Sequence, residues 1–213
     1  MTNISIRDAA LLAQQAYDPR RYPSVSAKIS RTLDKGDVQA VMLNDGTLLI
    51  AGSNSIADYA KFNMQAFKVL GQRFQILDGD TDKGASRTRW HQGFLTHAKV
   101  IYDFVGAQVP RLIIGHSLGA ASAQILCKTW GVPAVGFASP RPHFGKGRLK
   151  NEGGMLNICR TDDSVCFVPP GFRRLGKTIM LQPQQPHHGL DHSMENYIGM
   201  LKFDILGMPA QWP

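Results

Sequence analysis

The sequence predicts an α/β fold, with a mostly parallel central sheet flanked by helices in one compact domain spanning residues 1–213. Three observations carry this. Short apolar runs bounded by turn residues, the pattern of strands buried on both faces, alternate with segments of helical period. One such run, Leu112-Ile113-Ile114, passes through Gly115-His116-Ser117-Leu118-Gly119 directly into a stretch of good helix formers ending at Trp130. The residues able to do chemistry (a serine, paired aspartates, a group of histidines) follow strand ends, where open parallel sheets bind ligands.

Composition narrows the function classes. A chain of 213 residues with 43% apolar and 19% charged residues can bury a core of ordinary globular type. No run of about 18 apolar residues occurs. No basic segment precedes an apolar stretch at the N-terminus, so a secretory signal is not expected and the location expected is cytoplasmic. Cys127, Cys159 and Cys166 are odd in number and lack metal-type spacing, which reads as buried free thiols in a reducing compartment. The net charge of +8 favours phosphate or anionic lipid surfaces as partners. Its loose clusters, Arg141 to Lys150 and Arg173, Arg174 and Lys177, carry no aromatic-interleaved nucleic-acid motif, so no nucleic-acid partner is expected. A solvated basic surface and a peripheral lipid-facing patch both remain open.

Ser5-Ile6-Arg7-Asp8 reads as the cap of a first helix, with Ile6, Ala9, Ala13, Ala16 and Tyr17 at helical period until Asp18-Pro19. Residues 20–36 read as irregular. Segments 37–43 and 47–51 around Asn44-Asp45-Gly46 form a β-hairpin signal. Gly52-Ser53 closes the second strand in a small polar turn. Residues 56–70 read as an amphipathic helix, either packing on the core or covering an apolar pocket. Residues 78–89 read as a polar surface loop. A helix carrying Phe94, Leu95, Ala98, Ile101, Tyr102 and Val105 follows, with His91 as a structural residue at its start. After Trp130, strand signals occur at 133–138, 155–160 and 177–181, separated by a Gly/Lys-rich loop at 144–154 and a turn at 165–170. The last helix packs through Met194, Tyr197, Ile198, Leu201 and Ile205.

The Gly115–Gly119 segment has the Gly-x-Ser-x-Gly spelling of a nucleophile elbow. A serine on so tight a strand-to-helix turn is strained, and only small residues two positions away avoid a clash. The turn also sets the Leu118 amide at the positive end of the following helix, where an oxyanion is stabilised. Neutral serine needs a histidine base, and the base needs a carboxylate to hold its tautomer. Asp162 and Asp163 both follow the 155–160 strand, one of them expected to face solvent. His187, His188 and His192 all lie late in the chain; His192, where the loop meets the last helix, is the best anchored. The order serine, aspartate, histidine is that of an α/β-hydrolase triad.

Six ordered segments extend this reading: IAGSNSIADY (50–59), WHQGFLTHA (90–98), GHSLGAA (115–121), GFASPRP (136–142), TDDSVCFVPP (161–170) and DHSMENY (191–197). In these the chain resembles the class 3 lipases, typified by filamentous-fungal triacylglycerol lipases, over about residues 5–201. The resemblance implies an α/β-hydrolase fold and a cofactor-free, metal-free serine hydrolase acting on acyl esters or lipids. It puts Asp163 on the family's catalytic aspartate, favours His192, and implies that the Ser53 amide completes an oxyanion hole with Leu118. Ala51 stands where the family has arginine, so the salt-bridge network of that loop is expected to be absent; Cys166 replaces a proline. A catalytically inactive acyl-lipid-binding module on the same fold is the alternative.

Overall fold

The computed structural model describes residues 3–52, 66–77, 79–186, 192–203 and 205–213. At its centre is a seven-stranded sheet built from β2 (Ile29–Lys35), β3 (Val38–Leu43), β4 (Thr47–Ile50), β9 (Leu112–His116), β10 (Ala134–Phe137), β11 (Met155–Arg160) and β12 (Lys177–Leu181). Their spatial order is β12-β11-β10-β9-β4-β3-β2. The five from β12 to β4 are parallel, while β3 and β2 join antiparallel at one edge. The fold is thus the mostly parallel α/β sheet that the sequence predicts.

The apolar strand runs have helices on both faces to cover. Alternate side chains of β4 part company: Leu48 and Ile50 join one core layer with Phe94, Leu95, Ala98 and Ile101, and Leu49 joins the other with Ala9, Ala13 and Tyr197. The first layer is covered by α3 (Gln92–Val105) and α4 (Leu118–Trp130), the second by α1 (Ile6–Gln15) and α5 (Met194–Met200). Ser5 caps α1 by accepting the Asp8 amide at 3.0 Å, and Gly131, left-handed at φ 71°, closes α4.

Several readings change. Residues 20–36 are not irregular: they contain α2 (Pro23–Ser26) and the edge strand β2. Arg31 masked the alternation of β2 because it lies on the packed face, donating to the Val105 carbonyl at 3.0 Å with its guanidinium over the Phe104 ring. The end of the expected 56–70 helix is strand: β5 (Ala66–Val69) pairs with β6 (Gln72–Gln75), Phe67 opposite Phe74. Leu70 and Gly71, at φ 51° and 82°, make the tight turn between them. The rest of that segment, 56–65, lies outside the described residues. Most of the described residues of the polar stretch 78–89 are exposed as expected, but it carries β7 (Thr81–Lys83), paired antiparallel with β8 (Arg89–His91). The final helix stops at Met200, so Ile205 packs from beyond its end. A terminal bridge, β1 (Ile4–Ser5) with β13 (Gln211–Trp212), had no signal long enough to read.

Candidate active site

Strand β9 ends at His116, and Ser117 turns the chain into α4 with φ 57° and ψ −123°. This positive φ is costly for a residue with a side chain, and its neighbours hold it. The Ser117 amide donates to the Phe137 carbonyl at 2.9 Å, tying the elbow to β10. A Cβ on Gly115 would lie 2.4 Å from the Gly119 carbonyl oxygen, and one on Gly119 would lie 2.3 Å from that of Ile50. Glycine at both positions is therefore a packing requirement of the elbow.

The structure brings Ser117, His192 and Asp163 together from three separate elements. His192 Nε2 lies 2.8 Å from Ser117 Oγ, and its Nδ1 lies 2.9 and 3.1 Å from the two oxygens of Asp163. With a carboxylate at Nδ1, that nitrogen carries the proton, and Nε2 is left as acceptor for the serine hydroxyl. All three side chains are buried. Asp163 leads a 3-10 turn (Ser164–Phe167) beyond the C-terminal end of β11 and accepts the Val165 amide at 3.0 Å. Burial pushes its carboxyl up, but His192, the Tyr197 hydroxyl and the Val165 amide together hold it below the usual carboxylate range.

Its neighbour Asp162 does not face solvent as expected. It is buried in a two-pronged pair with Arg160, at 3.0 and 2.9 Å. The paired aspartates thus divide into one bound to the histidine and one locked to the end of β11. Of the other predicted residues, Leu118 opens α4 directly after Ser117. Ser53, His187 and His188 lie outside the described residues. His91 is structural: it caps α3 by accepting the Phe94 amide at 3.4 Å, and its other nitrogen meets the Gln75 carbonyl at 3.0 Å.

The sequence assigned no role at the site to three further side chains. Tyr197, on α5, donates its hydroxyl to Asp163 Oδ2 at 2.8 Å and accepts the Arg160 amide at 3.2 Å. In the sequence it is only an apolar position on a helix. Tyr17 and His116 form the second arrangement. His116 Nε2 lies 2.9 Å from the His192 carbonyl, so it donates there and its Nδ1 accepts from the Tyr17 hydroxyl at 2.6 Å. The same hydroxyl accepts the Gly52 amide at 3.0 Å. Ala51, fully buried, carries no charge into this loop, and a neutral chain from Gly52 to His192 runs beside it. Burial is the main reason that the Tyr17 hydroxyl is pushed up and the His116 imidazole down to about 3, so both stay neutral. Gly52 is held to glycine by this packing, since a Cβ would meet Tyr17 Oη at 2.5 Å and Ser117 Cβ at 3.0 Å.

Among the described residues no cluster of histidine, cysteine, aspartate or glutamate could hold a metal ion. No helix among them is long and apolar enough to cross a membrane.

No protein-family model matches the sequence, and no curated protein matches it. Solved structures do resemble the fold. Lip2 lipase from Yarrowia lipolytica is 15% identical with a TM-score of 0.57, over 84% of this chain and 82% of that one. Lipase II from Rhizopus niveus is 14% identical with a TM-score of 0.56, over 86% and 84%. The Rhizomucor miehei lipase in its propeptide complex is 14% identical with a TM-score of 0.51, over 92% and 78%. The chain has the α/β-hydrolase fold of these fungal lipases.

Proposed function

We propose that the protein is a serine carboxylic-ester hydrolase that cleaves acyl esters, lipids among them, through Ser117, His192 and Asp163. The observation that carries this is the single imidazole set between a hydroxyl at 2.8 Å and a buried carboxylate at 2.9 Å, over a strained elbow. Ser117 attacks the ester carbonyl while His192 takes its proton and then gives it to the leaving alcohol; Asp163 stabilises the imidazolium. The Leu118 amide, at the start of α4, and the Ser53 amide are assigned to the oxyanion, each worth about 3 kcal/mol in the transition state. Water then releases the acid, in a single domain that uses neither metal nor organic cofactor.

An anionic lipid surface is the partner we assign. On the rim where β10 and β11 end, Arg141 lies over the Phe167 ring at 5.6 Å, and nearby Arg89 lies over Phe144 at 4.7 Å. Both rings are exposed, which suits insertion at a charged interface. Hydrolysis of an acyl ester at low salt is expected to be faster on vesicles containing anionic lipid than on neutral ones, and equal rates reject this assignment. We assign a cytoplasmic location, supported by three buried cysteines that are free in the structure.

A fluorophosphonate should label the wild type fully and leave Ser117→Ala untouched, with hydrolysis of a chain-length series of acyl esters falling by at least ~10³-fold in that variant. A wild type that binds acyl chains but neither labels nor hydrolyses them is the inactive module instead.

A further inference from the structure

Away from the triad, the outer crease between α3 and α4 holds an open groove of about 370 Å³, room for about a dozen water- or methylene-sized groups. Its walls are chiefly apolar: Trp90, Leu95, Ala98 and Tyr102 on one side, Ile125 and Leu126 on the other. The turn between β7 and β8, at Gly84 to Ser86, closes one end. The α4 residues that line it lie 8 to 12 positions after Ser117, roughly 12 to 18 Å along the helix. The groove is thus no part of the triad's surroundings.

Two lysines stand at its rim, Lys99 from α3 and Lys128 from α4. Lys128 donates to the Ser86 hydroxyl at 2.6 Å, a neutral acceptor that leaves its charge unpaired there and two of its three protons to give. Lys99 meets Asp82 at 3.3 Å, with both side chains about half exposed, so water screens the pair and it exchanges readily. A groove of this volume with apolar walls and cations at its mouth complements a single alkyl chain ending in an anion.

We propose that the α3–α4 groove binds a long-chain carboxylate, with the chain against the exposed Tyr102 ring, over a floor of the largely covered Leu95, Ala98 and Leu126, and the head group on Lys99 and Lys128. An acyl-ester hydrolase releases such an acid, so the groove would hold the enzyme's own product; that last link rests on the proposed function, the binding itself does not. Two of the three tryptophans report on it, since Trp90 lines the groove and Trp130 stacks on Tyr102 at 5.5 Å.

The probe is dodecanoate, added below its micelle limit to Ser117→Ala and read by tryptophan emission and calorimetry. Saturable one-to-one binding is expected, weakened at least tenfold in Ser117→Ala/Lys99→Glu/Lys128→Glu and absent for dodecyltrimethylammonium, which has the same chain with the opposite charge. Both reversed lysines are at the surface, so the variant should fold, as its circular dichroism will report. Wild type blocked at Ser117 by an alkyl phosphonate should bind dodecanoate unchanged. The proposal is overturned if no saturable binding occurs, if charge reversal leaves it unaltered, or if the phosphonate removes it, which would put the chain at Ser117. A phosphonate that fails to label counts against the proposed hydrolase alone, because the charge-reversal arm still decides the groove.

Discussion

Asp163 keeps its charge in a buried position because three donors converge on it: the His192 ring, the Tyr197 hydroxyl and the Val165 amide. Tyr197→Phe removes one of these and leaves the Arg160 amide without that partner, so a loss of about 1–3 kcal/mol at neutral pH is expected in urea unfolding. The Asp163 carboxyl lies lower in the folded chain than in the unfolded one, so its contribution is present above the unfolded value of about 4 and lost as pH falls through the folded one. The deficit of the variant should accordingly shrink in acid. Tyr17→Phe tests the other arrangement. It strips a partner from both the Gly52 amide and His116 Nδ1, and the loop that leads to Ser53 loses an anchor. Ester hydrolysis should fall about tenfold with the fluorophosphonate still reacting, whereas a Tyr17 that serves only as packing would leave both rates unchanged.

The elbow shows how an element is held by its neighbours. Helix α4 starts so close to β4 that Gly119→Ala would drive a Cβ to 2.3 Å from the Ile50 carbonyl and 2.7 Å from that of Ala51. Both are backbone atoms of a central strand and its end and cannot swing aside, so a loss of at least about 2 kcal/mol is expected in chemical denaturation. The elements that the sequence misrepresents failed for definable reasons. In β2, Arg31 replaces an apolar residue on the packed face, so periodicity saw no strand. In β5, the stretch read as the end of a helix is a short strand, and the Leu70-Gly71 turn that folds it onto β6 decides between the two. Its Gly71→Ala variant, forced to a positive φ, should lose about 1 kcal/mol.

Across the whole molecule, two buried imidazoles add to the response to acid that Asp163 gives. Burial holds His97 and His116 at about 3, each of which would bind a proton near pH 6.5 once unfolded. Between those values the unfolded chain carries more protons, so stability is full above about pH 6.5 and falls as the pH is lowered towards 3. The slope is about 1.4 kcal/mol per pH unit for each histidine. The Tm should therefore drop steadily from pH 6.5 to 4, and less steeply in His97→Asn. The six strands of the central sheet other than β2, the helices that cover it and the serine elbow were legible in the sequence, because strand hydrophobicity, helical period and glycine at a tight turn are local properties of the chain. It also supplied Asp163 and His192, through ordered segments rather than through any spacing between them. The pairing of Asp162 with Arg160, and the bonds that bring Tyr197, Tyr17 and His116 to the site, came from the three-dimensional packing. Those choices rest on which buried groups find hydrogen-bond partners across tens of residues, and such pairing is a property of packing that no local pattern encodes.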